Sequence, residues 1–554
     1  MERRTFLKNI SISTIGTFAL ANIPIKALSQ NSPLAKAAAA SSNENVLIFV
    51  QLHGGNDALN TLVPIDQYSK YIELRANIAL PDSGPRAILN VDDTVLVADQ
   101  VGLHPDMAAF QRLYKDGKAV IVQNVGYPDM NMSHFRGRDL VFMGLDGTSD
   151  SKPIPTTSGW MGRFLDHEYP FYPQNYPTAE MPDPIGLEFG SEMSIAFTRS
   201  KGIPMGFNIP DPEGFFNLVH GSGVDTDKFK IYTINGHAND ELKFLWDFKD
   251  TTNSYAKRLQ DVYNAGHNSS VEYPTTYPGV APANFQNNPL SGQLKIIARL
   301  LSGGIKTRIF LCTIGGFDTH ANQVDKNDHT LGGHAALLYH LSSAIEAFQN
   351  DLANLGQEDK VLTMTFTEFG RRVHSNDSYG TDHGTSTPVF IFGKALDGKI
   401  MGSNPNLSKL NSGGNMEFST DYRSIYNGVV QDWFGASNQT MVDIGFDTNK
   451  YGKLNLFGTT SVDDLKLQNS PGNIKLYPNP ASGQVTVSFF IRNQTDSIIE
   501  IFDLTGKKLL EKKMGNLTYG QYNIPLQINA LKQGEYICFL TSNGSKASEK
   551  LVVY

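Results

Sequence analysis

Val46-Leu47-Ile48-Phe49-Val50-Gln51-Leu52 runs directly into His53-Gly54-Gly55-Asn56-Asp57. A seven-residue run that is apolar at both even and odd positions reads as a strand covered on both faces, as in a parallel sheet. The polar, glycine-paired stretch after it reads as the turn leaving that strand's carboxyl end. Similar runs recur at Ala119 to Val125, Thr307 to Ile314, Val361 to Phe366 and Val389 to Phe392. Segments of helical period lie beside them. Pro105 opens Asp106 to Lys115, Gln293 to Leu301 leads into the third strand, and His334 to Leu355 follows it. Alternation of this kind predicts an α/β body, a mostly parallel sheet flanked by helices, over residues 30–460. Residues 150–285, dense in Pro, Tyr, Phe and Asn, read as insertions over that sheet, with one helix expected from Glu241 to Tyr263.

Ligands of open α/β sheets collect beyond the carboxyl ends of the strands. The polar residues expected there are His53 to Asp57 after the first run and Asn131, Ser133, His134, Arg136 and Arg138 after the second. Asp318, Thr319 and His320 follow the third, and Glu368, Arg371 and Arg372 the fourth. Asp382 and His383 stand just before the fifth. Carboxylate, imidazole and hydroxyl thus reach one edge from distant parts of the chain.

The chain has 554 residues, 40% hydrophobic and 18% charged, with 50 Gly and 27 Pro, a globular and turn-rich composition. Its net charge of -8 is uneven: residues 1–29 carry +3, residues 472–554 carry +3, and the body between them -14. An acidic body lacks the basic footprint of nucleic-acid binding and tolerates bound cations. All 13 histidines lie between His53 and His383, so imidazole chemistry is confined to the α/β body. Two cysteines, Cys312 and Cys538, are too few and too separated for a disulfide framework and read as buried apolar residues.

Both ends read as addresses. Arg3-Arg4-Thr5-Phe6-Leu7-Lys8, an uncharged stretch to Ile25, and the small-residue site Ala27-Leu28-Ser29 form an export leader over residues 1–29, which resembles a twin-arginine signal. Its apolar part is too short and too polar to span a bilayer, and no other segment qualifies. After a linker at 461–473, residues 474–554 alternate short apolar runs with polar turns, as in an all-β sandwich. Tyr477-Pro478-Asn479-Pro480, Ile501 to Lys507 and Gly534-Glu535-Tyr536 make this end resemble the C-terminal sorting domain of the type IX secretion system. The resemblance implies contact with that machinery and delivery to the cell surface or medium.

The leader, the His53 to Asp57 loop, Ser133-His134-Phe135, Gly315 to His320, Glu368-Phe369-Gly370-Arg371 and Asp382-His383-Gly384 together resemble the domain of unknown function 1501 family. That family is a distant relative of the alkaline phosphatase and sulfatase superfamily. The resemblance implies an alkaline phosphatase-like fold and a hydroxyl nucleophile activated by metal, acting on a small-molecule or glycan ester. One ion would be held by Asp57, Ser133, Asp382 and His383, and a second would begin with Asp318 and His320. One or two divalent ions are therefore expected, with zinc, manganese or iron favoured by mixed carboxylate and imidazole donors and calcium an alternative. Ser133 would be the nucleophile, and Arg136 and Arg371 the clamps for the ester's anionic group.

This chain departs from that pattern. It has no histidine after His383 for the second ion, so His53, His134, His334 or Glu368 substitutes, or a single ion binds. Ser133 is followed by neither the proline nor the arginine of a formylglycine sulfatase, which disfavours that chemistry. Each candidate also has a plainer reading: Ser133 as a helix N-cap, Asp57 as a cap or Asx turn, Asp318 with His320 and Asp382 with His383 as structural pairs, and Glu368, Arg371 and Arg372 as solvated strand ends. Asp225 and Asp227 lack the Gly and Glu of a calcium loop. The expected function is an exported metal-dependent hydrolase of phosphate or sulfate esters. The rival is a surface-displayed binding protein that keeps the fold without turnover.

Overall fold

The computed structural model describes residues 43–148, 157–174, 176–190, 192–215, 254–457 and 474–554, except for 492–494, 504–506, 518–519 and 543–544. Of the first 42 residues only the backbone pairing of Ala19–Leu20 with Ile23–Pro24 is described. Most of the export leader, the linker at 461–473, the Asp225/Asp227 pair and residues 241–253 of the expected helix therefore lie outside the described residues, whereas 254–263 are helical. The chain divides into two compact units, residues 1–457 and 458–554.

The first unit is built on a nine-stranded sheet: β1 Val46–Leu52, β2 Ala119–Gly126, β3 Gly186–Phe189, β4 Phe207–Ile209, β5 Ile309–Ile314, β6 Val361–Phe366, β7 Thr387–Phe392, β8 Lys399–Met401 and β9 Thr420–Asp421. Its order is β4-β3-β5-β1-β6-β7-β2-β8, with β9 also beside β2. Neighbours pair in parallel except at β7, which runs antiparallel to both β6 and β2. The sheet is thus mostly parallel, as expected, but the run at Val389 to Phe392 is its reversed strand. A purely apolar run marks burial on both faces and carries no information about direction.

Helices cover both faces: α1 Ala108–Lys115, α2 His134–Met143, α3 Trp160–Glu168, α4 Pro289–Ser302, α5 Gly333–Asn354 and α6 Tyr422–Gly428. β1 shows why the run was apolar throughout. Val46, Ile48, Val50 and Leu52 enter the core shared with α1, α4 and α5, while Leu47 and Phe49 enter the opposite core with α2, α3 and α6. The β-rich second unit holds seven strands, β10 Lys475–Ser482, β11 Gln484–Ile491, β12 Thr495–Asp503, β13 Lys508–Leu517, β14 Gly520–Gln527, β15 Gly534–Ser542 and β16 Ser545–Val553. They are ordered β13-β12-β15-β16-β10-β11-β14 around Val485, Val487, Ile499, Ile501, Cys538 and Leu540. No helix among the described residues is long and apolar enough to cross a membrane.

Within β3, Glu188 is 6% exposed and accepts hydrogen bonds from the Ser194 amide (2.8 Å) and hydroxyl (3.1 Å). Burial pushes its carboxyl from 4.5 up to about 7, against the opposing effects of Ser194 and Arg138. The folded state therefore holds a proton that the unfolded chain releases between pH 4.5 and about 7, so stability falls as pH rises through that window. The loss is on the order of 3 kcal/mol across the window, and Glu188→Gln is expected to flatten it. Melting temperatures of both proteins between pH 5 and 8 check this; parallel curves would refute it.

Candidate metal and ester site

The strand ends deliver their side chains as the sheet topology requires. β5 and β6 flank β1, so the loops after these three strands meet at one edge. There Gly54 (φ +125°) passes so close to the next loop that a Cβ would stand 2.2 Å from the Asp318 amide nitrogen. Only glycine permits both that approach and that backbone conformation. Gly370-Arg371 pairs antiparallel with His383-Gly384, with Arg371 opposite His383, which brings the segment before β7 to the same place.

Asp318 is the centre. The Nε2 atoms of His320, His383 and His134 lie 3.2, 3.3 and 3.5 Å from its carboxylate oxygens, and Arg371 Nη2 donates to Oδ1 at 2.7 Å. The other ring nitrogen of each imidazole has an oxygen partner. His134 Nδ1 meets Glu368 Oε1 at 2.9 Å, His383 Nδ1 the Met132 carbonyl at 2.9 Å, and His320 Nδ1 Asp382 Oδ1 at 3.3 Å. Carbonyls and carboxylates only accept, so each Nδ1 carries a proton, and in the neutral form of a ring the Nε2 lone pair faces Asp318. In that form three Nε2 lone pairs face a carboxylate whose donor, Arg371, serves Oδ1. A cation satisfies them, and orientation of ligating imidazoles through the remote nitrogen is how proteins prepare such a site.

Among the described residues, His134, Asp318 and His383 present ligand atoms all within 4.8 Å of one another. These three residues could hold a divalent ion, and His320 lies against Asp318 beside them. Burial favours the neutral Asp318 carboxyl, but Arg371, with His383 and His320, outweighs it and holds the pKa below the usual range. Burial, then the Arg371 charge, pushes His383 down, keeping its ring neutral; the Glu368 hydrogen bond raises His134.

The expected grouping is corrected in three places. Asp57 is not a ligand: it is 1% exposed, and its carboxylate pairs with Arg75 Nη1 (2.7 and 3.0 Å), accepts from Gln323 Nε2 (2.6 Å) and caps the Leu59 amide (3.3 Å). Arg75 outweighs the effect of burial and keeps that carboxyl ionised. With Asp57 so engaged, the first expected ion has no complete set. Asp382 does not join His383 on one ion but accepts from Asn376 Nδ2 (3.2 Å) and faces His320, steering that ring. Arg371 is 1% exposed and donates to the carbonyls of Gly55, Gly54, Thr381 and Phe317 as well as to Asp318. Its donors lock the loops together, and its burial keeps it from a substrate anion.

Ser133 occupies the N-cap position of α2, between Met132, which receives His383, and His134. It is exposed and its side chain makes no capping hydrogen bond, while its amide donates to Asn131 Oδ1 at 2.9 Å. Capping therefore does not explain the serine. Arg136 lies half-buried in the first turn of the same helix. His53 stacks on His134 at 6.0 Å between ring centroids, whereas His334 is buried and turned away to Asn56 at 3.0 Å. His134 and Glu368 enter the site directly, having been expected only as substitutes for the missing late histidine. Arg75, Gln323 and Thr381 went unread, because nothing in their local sequence marks a buried polar partner.

Residues 253–418 match the model of the protein of unknown function (DUF1501) family, a span that includes Asp318, His320, Glu368, Arg371, Asp382 and His383 but not Ser133 or His134. Residues 475–554 match the secretion system C-terminal sorting domain. No curated protein matches the chain. Solved structures similar to it include a protein in the alkaline phosphatase superfamily from Vibrio parahaemolyticus, 11% identical with a TM-score of 0.32, covering 89% of this chain and 84% of that one. The PsFucS1 sulfatase from Pseudoalteromonas sp. is 9% identical with a TM-score of 0.30, covering 88% and 84%. A beta-glucuronidase from Parabacteroides merdae is 16% identical with a TM-score of 0.13 over 15% of this chain, which spans 13% of that enzyme's length. The chain thus carries a stretch that matches the DUF1501 family model and, after it, a type IX C-terminal sorting domain, which implies export to the cell surface.

Proposed function

We propose that this exported protein is a metal-dependent hydrolase of phosphate or sulfate esters, using one divalent ion and the Ser133 hydroxyl as nucleophile. The observation behind the reading is the cluster of His134, Asp318 and His383 ligand atoms, with His320 against Asp318, beside an exposed serine that caps nothing. Nitrogen-rich donors with one carboxylate favour zinc, then manganese or iron. A bound ion supplies Lewis-acid polarisation of the ester. The chain's own groups do the rest. Glu368 and the Met132 carbonyl hold His134 and His383 in one tautomer and orientation. The amino end of α2 favours negative charge beside Ser133, and Arg136, in its first turn, is the clamp proposed for the ester's anionic group.

The test is hydrolysis of aryl phosphate and aryl sulfate esters by the zinc-loaded protein. Ser133→Ala is expected to lose at least about 10³-fold in kcat, the scale on which nucleophile removal acts. Turnover unchanged in that variant would remove Ser133 from the chemistry. Wild-type protein that binds zinc and leaves both esters intact would favour the surface-binding reading.

A further inference from the structure

Asp57, rejected as a ligand, is joined to the site through one residue. Gln323 is fully buried; its Nε2 donates to Asp57 Oδ2 at 2.6 Å, and its Oε1 accepts from Thr319 Oγ1 (2.9 Å) and Thr381 Oγ1 (2.8 Å). Thr319 stands between Asp318 and His320, and Thr381 immediately precedes Asp382 and His383. A single amide oxygen therefore ties together the two chain segments that carry most of the donor atoms. The Thr381 amide also donates to the Thr319 carbonyl at 3.0 Å, so backbone and side chains set one spacing between the segments.

The post behind the clip is rigid. Arg75 holds Asp57 and donates to Asn60 Oδ1, the Val373 carbonyl and the Arg372 carbonyl at 2.9 to 3.0 Å. Thr319, Thr381, Gln323, Asp57 and Arg75 are each no more than 4% exposed, so solvent does not compete for these bonds. The Thr319 hydroxyl faces away from the pocket: Thr319 is buried between the exposed Asp318 and His320, and Thr381 is buried beside the half-buried Asp382 and His383.

We infer that Gln323 is a positioning residue, which sets the separation of the 318–320 and 381–383 segments through the Thr319 and Thr381 hydroxyls and so tunes the site for one ion. This rests on the metal-site reading. It goes beyond it in assigning affinity to a side chain that meets neither ion nor ester.

The test compares Thr319→Val/Thr381→Val, which deletes both hydroxyls at nearly constant volume, with Thr319→Ser/Thr381→Ser, which keeps them. Zinc affinity of the full chain is measured by calorimetry against a competing chelator, beside the melting temperature without metal. The valine pair is expected to weaken zinc binding about 10-fold or more, the size of effect that groups orienting metal ligands exert, and the serine pair to stay within about twofold of wild type. A valine pair that melts lower yet binds zinc as wild type does would show a merely structural role and overturn the inference. If wild type binds no zinc, the metal reading fails by itself, and hydrogen exchange still decides the clip. Exchange that quickens in the valine pair at 317–321 and 380–384 alone supports the positioning, and exchange unchanged there overturns it.

Discussion

Arg75→Met is expected to destabilise the α/β unit by about 3–5 kcal/mol, because it strands the Asp57 carboxylate as an unpaired charge in the interior. Both side chains of the pair are no more than 1% exposed. The guanidinium also serves Asn60 and the Val373 and Arg372 carbonyls, which would lose their donor. All three tryptophans, Trp160, Trp246 and Trp433, precede the sorting domain, so tryptophan fluorescence in a urea titration reports this unit alone. Removing the charge as well, in Arg75→Met/Asp57→Asn, is expected to recover at least about 1 kcal/mol, since the stranded charge is the main cost. A single variant that loses less than about 1 kcal/mol would contradict the buried pairing.

The second large effect concerns metal. Purified wild-type protein, dialysed against zinc and measured by elemental analysis, is expected to hold about one ion per chain, and His134→Ala/His383→Ala under about a tenth of one. The reason is stoichiometric. The pair of substitutions leaves Asp318 and His320, a carboxylate and one imidazole, too few donors for a closed or catalytic zinc site. Asp57→Asn separates this arrangement from the one expected from sequence: it leaves the donor atoms in place and should keep the ion, whereas a ligand role for Asp57 demands its loss. Two ions per wild-type chain would likewise contradict the single-ion reading. Neutral imidazoles are the ligating form, so the ion should be released as acid protonates the three rings.

Much of the α/β body was legible in the chain itself, and the reason is local. A run apolar on both sides, such as Val46 to Leu52, has only one stable environment, between two layers, and it formed a strand with the bounds read from it. Val361 to Phe366 did the same. The candidate residues were legible because glycine-rich polar turns after such runs must come to the sheet edge. Direction and partnership were not. β7 reversed because an apolar strand pairs equally well in either sense, and its direction is set by the connections between strands rather than by its residues.

The same distinction divides the site. Sequence by itself determined which residues reach the edge: Asp318 and His320 by their i, i+2 spacing in an extended segment, and Ser133 and His134 by their place at the start of a helix. Only the tertiary structure decided which of them share atoms. Asp57 and Asp382 carry the same carboxylate, yet Asp57 turned inward to Arg75, 18 residues away, while Asp382 stayed at the surface to steer His320. Glu368 and Arg371, which read as solvated strand ends, are no more than 1% exposed. A buried polar group must find its partner wherever the fold places one, and for these that partner lay as far as 317 residues along the chain, at the Gly54 carbonyl. Spacing along the sequence sets the side toward which a residue points; the packing of β1, β5 and β6 sets what it meets there.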